Sequence, residues 1–353
     1  MSLLTSSTRV SSYTTIKRAR MLPNLGQVFV RVGQDVNPVQ VIAQSLPQGG
    51  YHTLRAAEIL EVSPKEVLDY LLVEPGAALR SGMPVVKRDG RFGRSKTLQS
   101  PINGILVDVQ NGTLIMQATQ ETYDLRAMLQ GRVASTLAAR GAVIETRGAL
   151  VQAQWDSGKE GYGFLRTVVR SAKEPLNADK IGSDVRGAIL IAGWISQPDD
   201  LYRLENSGVR GVIAGSMPSK ICLMASTFSF PVYLTDGVGE QAMAEPIFQI
   251  LQRADGKSVS LLSREEGIRG QRSEIIIPSA STQAETPYRI RPVENGDLVR
   301  VFRCDGGNLV GRVSNVSIRP HYSGAGLFTP GALVELGTGE KEFVPYTDID
   351  LIS

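Results

Sequence analysis

The sequence predicts a mixed α/β multidomain protein, with β-rich units at both ends and a small parallel α/β domain between them. Three observations carry this. Between Asp69 and Met116, short apolar runs are broken by Glu74-Pro75-Gly76, Arg80-Ser81-Gly82 and Asn111-Gly112. Between residues 187 and 262, apolar runs of strand length alternate with helix-length segments, the pattern of a buried parallel sheet. From Gly296 onward, short β-type segments return, separated by turns that contain glycine. A chain of 353 residues is expected to hold roughly two to four domains.

The first 20 residues are rich in Ser and Thr, basic and free of acid. They read as a disordered basic tail, a composition that transit peptides share. Val28, Val30 and Val32 then alternate with other residues, as in a strand, and residues 39–43 return after Gly33. This pattern resembles the later Gly76 to Val86 stretch, so the two are read as halves of one β unit. Between them, residues 52–60 are expected to form a helix. Ser63-Pro64-Lys65-Glu66 is expected to start another, with Ser63 as N-cap, Pro64 at the first position and Glu66 completing a capping box.

The Asn111-Gly112 pair joins two expected strands, 105–109 and 113–116. Both central residues of so tight a turn need positive φ, which Asn and Gly tolerate. The pattern Pro75-Gly76-x-x-Leu79-x-x-Gly82-x-Pro84-Val85-Val86, followed by Ser100-Pro101-x-x-Gly104, resembles the barrel-sandwich hybrid of biotinyl and lipoyl carrier domains. With its helical insert, the stretch from about 22 to 117 is similar to the C subunit of Rnf-type electron-transport complexes. The resemblance implies a carrier lysine at a tight hairpin. Here the equivalent position falls near Gly93, in a longer basic loop. No cofactor is therefore expected. The loop's cations and aromatic, Lys87, Arg88, Arg91, Phe92, Arg94 and Lys96, are expected to dock a protein partner with an acidic surface.

Residues 141–155 suggest two strands hinged at Gly148, and 164–169 another. Trp155 and Tyr162 could supply an aromatic binding edge or belong to the core. The α/β pattern follows, with strands at 187–192, 209–214, 231–234 and 258–262. Helices are expected at 199–206, 220–225 and 240–254, with Pro246 disturbing the start of the last. Ligands of such sheets sit beyond the carboxyl ends of the strands. Ser216, Ser219, Asp236, Gly237 and Gly239 lie there, before two expected helices, and form the candidate small-anion site.

Residues 278–287 read as a Ser/Thr/Pro linker. Beyond it, Gly296-Asp297-x-Val299-Arg300-Val301 and Gly311-Arg312-Val313 resemble the KOW motif of SH3-like barrels. That resemblance implies contact with RNA or transcription machinery. Residues 288–353 nevertheless hold seven Lys and Arg against eight Asp and Glu, a net of 7 − 8 = −1. Nucleic-acid binding is therefore expected to be weak, and protein binding is favoured.

The expected domains are a 1–20 tail, a 21–172 barrel-sandwich hybrid with associated β structure, a 173–277 α/β domain, a 278–287 linker and a 288–353 KOW/SH3-like barrel. The two histidines, His52 and His321, have no partner at a catalytic spacing, and no metal or nucleophile motif appears. The two cysteines, Cys222 and Cys304, lie far apart, which suits a reducing cytoplasm. No apolar run approaches the ~18 residues of a membrane helix, so no membrane insertion is expected. The resulting expectation is a cytoplasmic, non-catalytic scaffold, with homo-oligomerisation left open. The alternatives are a nucleic-acid-associated factor and a small-anion-binding enzyme or sensor.

Overall fold

The computed structural model describes residues 5–45, 50–89, 95–119, 122–264, 272–280, 291–303, 309–337 and 339–353. Among the described residues, strands make up 49% and helices 13%, which makes this a β-rich protein with several sheets. Four hydrophobic cores organise them.

The largest sheet among the described residues has eleven strands, and its strands Ala188–Ile191 and Gly211–Met217 are buried on both faces. Its centre is the 12-residue strand Gly141–Gln152, paired with Val10–Met21 on one side and with Gly131–Leu137 and Glu274–Pro278 along its length. Side chains of a strand alternate between faces. Here Ala149 and Val151 enter the core of the α/β region, while Leu150 and Ile144 enter a second core. Ile275, Ile276 and Ile277 divide in the same way.

The expected disordered tail is therefore corrected. Val10–Met21 is a strand paired along Gly141–Gln152, and Ser6–Thr8 runs parallel to the final strand Ile349–Ile352. Tyr13 and Ile16 are buried, and Thr14 and Thr15 between them suit a pleated surface. Gly148 is no hinge. The strand passes through it, and a Cβ there would lie 2.0 Å from the Ile277 carbonyl oxygen.

Residues 50–118 form an insertion with its own core, built on Leu60, Val67, Val85, Leu106, Leu114 and Met116. The host closes beneath it where Val41–Ser45 pairs with Asp124–Arg126. The single 21–172 unit is thus two nested units, and the Gly33 and Gly76 stretches belong to different ones. The Asn111-Gly112 turn forms as expected, with φ of 48° and 73°. The expected 52–60 helix is instead a strand, Tyr51–Arg55, followed by one short helix, Ala56–Leu60. Glu66 accepts the Ser63 N–H at 2.9 Å, but the segment that follows is a 3₁₀ helix, Glu66–Tyr70.

One pairing geometry recurs in three places. Gly33 N–H donates to Val133 O, Val133 N–H to Gln34 O, and Val36 faces Gly131. Gly76, Leu106, Ala77, Leu79 and Gly104 repeat it, as do Gly296, Val313, Asp297, Val299 and Gly311. The first glycine has φ of 84°, 92° and 92° in turn. The second lies 2.0–2.7 Å, by its absent Cβ, from a neighbouring strand's carbonyl oxygen. Each copy is followed by a register shift two residues after the second glycine's site, at Val133/Ser135, Leu106/Asp108 and Val313/Asn315.

In the α/β region, Gly161–Thr167, Ala188–Ile191, Gly211–Met217 and Val232–Val238 are parallel neighbours in chain order. Pro198–Glu205, Ser219–Ala225 and Glu245–Gln252 are its helices. Pro246 sits in the first turn, where its missing N–H costs nothing. The region starts at Gly161, not 173, and shares its sheet with the β units, so the expected separate 173–277 domain is corrected to one continuous sheet. The end of the expected linker lies outside the described residues, while its start, Pro278, closes the strand Glu274–Pro278.

The C-terminal strands Leu298–Val301, Leu309–Tyr322, Phe328–Leu336 and Lys341–Pro345 follow one another as a meander. A 3₁₀ turn, Tyr346–Asp348, leads to Ile349–Ile352, which returns to pair with Leu298–Val301.

Candidate functional site

The five anion-site residues do not line an open crevice. A ligand crevice in an α/β sheet forms where strand order reverses. Here the four parallel strands follow chain order without reversal. Their carboxyl ends are also covered by the chain itself. Met243 N–H donates to Gly193 O at 3.1 Å, and a Cβ at Gly215 would meet Met243 N at 2.4 Å. Ser216 is buried; its hydroxyl donates to Gln241 O and accepts from Gln241 N–H. Gly237 pairs with Ser216, and Gly239 N–H donates to Met217 O. Ser219 is exposed on a seven-residue helix.

Asp236 is buried and serves as a structural anchor. Its carboxylate accepts from Thr235 Oγ1 at 2.7 Å, Ala244 N–H at 3.0 Å and Arg300 Nη2 at 2.9 Å. Arg300 comes from the C-terminal sheet. Its other nitrogen, Nη1, donates to Asp350 at 2.7 Å and Thr8 at 3.2 Å. Arg272 adds a third side, donating to Asp350 at 2.8 Å and to Ser6 at 2.7 Å. Gln154 completes the set on Thr8. One buried network thus joins the N-terminus, the α/β strands and the C-terminal module. No sequence spacing signals it, because its members lie up to 344 residues apart.

The basic hairpin divides. Arg91, Phe92 and Arg94 lie outside the described residues. Arg88 and Lys96, expected to dock a partner, bond to carbonyls within the chain. Arg88 donates to Leu60 O and Glu61 O, and Lys96 to Ile59 O and the Glu61 carboxylate. They satisfy the carbonyls that end the Ala56–Leu60 helix, where cations also suit the helix dipole. Lys96 holds the Glu61 carboxyl below its usual range, chiefly through that hydrogen bond. Lys87 pairs with Asp89 at 3.0 Å.

Burial pushes the Cys222 thiol up to about 11, away from the thiolate a nucleophile needs. Among the described residues, no group of three or more His, Cys, Asp or Glu could hold a metal ion. Nor is any helix among them long and apolar enough to cross a membrane. Trp155 and Tyr162 form no shared edge: Trp155 packs on the α/β core, and Tyr162 packs on the second core beneath the Arg210 guanidinium.

The C-terminal module carries several exposed apolar side chains close together in the chain. The strands Leu309–Tyr322 and Phe328–Leu336 outrun their neighbours: Lys341–Pro345 pairs back only as far as Gly331, and Leu298–Val301 reaches only Arg312. Their far ends form a two-stranded arm. On it Ile318 is 73% exposed, Tyr322 73%, Leu327 56% and Phe328 63%. Tyr322 packs against Phe328 with tilted rings, centroids 4.9 Å apart, and His321 leans on Phe343 at 5.2 Å. A cavity of about 330 Å³ opens beside the arm, lined by Phe302, Ser323, Glu342, Phe343 and Asp348. The sequence gives no sign of the arm, because Pro320, Gly324 and Gly326 mark this segment as a Gly/Pro-rich loop around His321.

No family model, no curated protein and no solved structure matches the chain.

Proposed function

We propose that this chain is a non-catalytic cytoplasmic scaffold that docks a partner protein through the C-terminal arm. The single observation behind this reading is the arm's cluster of Ile318, Tyr322, Leu327 and Phe328. A contiguous exposed apolar patch of this kind is characteristic of interaction sites. Tyr and Arg are enriched at interface hot spots, and burying each of these apolar side chains is worth roughly 1.5–3 kcal/mol. Between residues 314 and 330 the sequence holds Arg319 and His321 and no acid, so the complementary partner presents an apolar cleft rimmed by carboxylates.

Two parts of this reading rest on fold resemblance. We read the 50–118 insertion as a barrel-sandwich hybrid without a carrier lysine, and the C-terminal meander with its 3₁₀ turn as an SH3-like half-barrel of KOW type. In the scaffold these act as rigid mounts. The near-neutral charge of residues 288–353 favours protein over nucleic acid.

A photo-crosslinking amino acid at position 322, introduced in the native host, tests the proposal. The control places it at Leu223, an isolated exposed apolar residue of the α/β region. Crosslinking to one acidic protein at 322 alone, lost in a Phe328→Ser background with an unchanged Tm, is the expected result. Equal crosslinking from 223, or retention of the same protein at full yield by Phe328→Ser, overturns the arm as the docking element.

A further inference from the structure

A second feature lies far from the arm, at a break in the largest sheet. The ladder between Val10–Met21 and Gly141–Gln152 shifts register between Gly148, which faces Thr14, and Leu150, which faces Ser11. Two residues, Ser12 and Tyr13, therefore oppose the single residue Ala149. This is a β-bulge, a device that bends a strand, leaves a residue out of the ladder and re-aims side chains, often beside a binding site. The Ser11 hydroxyl holds the bulge by donating to Tyr13 O at 3.1 Å.

A cavity of about 230 Å³ opens at the bulge, between the sheet and the end of the Glu245–Gln252 helix. Ser12, Tyr13 and Ser279 line its sheet side, and Arg253 and Lys257 line the other. Its lining contains no acidic residue. Among the described residues, neither Arg253 nor Lys257 has an ion-pair or hydrogen-bond partner for its side chain. Tyr13 and Ser279 also line a wider depression of about 690 Å³, so the two spaces adjoin.

The geometry points to a binding site for a small phosphate monoester, with Arg253 and Lys257 holding the phosphate and the adjoining depression receiving the organic part. A guanidinium presents two parallel N–H groups to phosphate oxygens, and an ammonium supplies a compact charge. The Ser12 hydroxyl suits a remaining oxygen. The first cavity is below the roughly 300 Å³ of a drug-sized pocket, which suits a phosphate and little more. The wider depression carries Asp35 and Glu145 beside Arg132 and Arg147, with Asp35 paired to Arg132 at 3.0 Å and Glu145 to Lys17 at 2.9 Å, so it offers no continuous positive track for the next phosphates of a nucleic-acid backbone.

Titration calorimetry of the full chain with glycerol 3-phosphate, inorganic phosphate and a single-stranded RNA oligonucleotide decides the matter. Glycerol 3-phosphate is expected to bind, and Arg253→Gln with Lys257→Gln is expected to weaken it by at least about tenfold with unchanged Tm, as loss of two charge-assisted contacts requires. Ser12→Tyr, which fills the mouth from an exposed position, should weaken it comparably. Binding of inorganic phosphate alone, equal to that of the ester, would remove the organic part of the site and overturn the proposal. So would ester binding that survives the double substitution, no ester binding at all, or tighter binding of RNA.

Discussion

Arg300 and Asp236 lie 2.9 Å apart, Nη2 to Oδ1, both buried to within 1% of full exclusion from solvent and 64 residues distant in sequence. Asp350 sits 2.7 Å from the other guanidinium nitrogen, equally buried. Burying charges is expensive unless each is matched, and here one cation lies between two carboxylates with Arg272 in support. Removing one member leaves an uncompensated charge. Arg300→Met should cost about 3–5 kcal/mol in chemical denaturation. A loss below about 1 kcal/mol would show that the network is not anchoring the C-terminal module.

Arg88 offers a contrasting test. Since it bonds the carbonyls of Leu60 and Glu61, Arg88→Ala should destabilise the 50–118 insertion by about 1–2 kcal/mol. Hydrogen exchange of the Ala56–Leu60 helix measures this directly. Unchanged protection there would return Arg88 to the role of a solvated surface charge.

Gly112 should tolerate no side chain. Its φ is 73°, and a Cβ would lie 2.5 Å from the Ala57 Cβ and 3.0 Å from the Pro64 Cα. Gly112→Ala combines backbone strain with a clash against the short helix and should cost about 1–3 kcal/mol. Thermal unfolding of the variant beside Gly76→Ala, whose Cβ would meet nothing within 4 Å, separates strain from collision.

Cys222 should react slowly. With the thiol raised from 9.0 to about 11, the thiolate is scarce near pH 8. In a Cys304→Ser background, alkylation of the native protein should be at least about tenfold slower than of the denatured chain. The sign for stability follows from proton binding. Between pH 9 and about 11 the folded thiol keeps a proton that the unfolded one has lost, so stability should fall as pH rises through that window. A native alkylation rate equal to the denatured one would contradict the burial.

Much of this architecture is legible in the sequence where local chemistry decides. The Asn111-Gly112 turn follows from φ alone. The strand Ser258–Leu262 and the helices near 199–206 and 220–225 follow from periodicity. Other features depend on partners distant in the chain. The strand Val10–Met21 looks like a polar tail because its pairing energy resides in Gly141–Gln152, more than 100 residues on. Asp236 looks like a loop carboxylate before a helix; only Arg300, arriving from another sheet, makes it a buried anchor. The basic hairpin reads as free charge until the Ala56–Leu60 helix ends beside Arg88 and Lys96. Local propensity and pattern therefore determined the elements, and tertiary structure decided which charges are satisfied and which apolar residues stay exposed, because burial and pairing depend on segments that sequence spacing does not bring together.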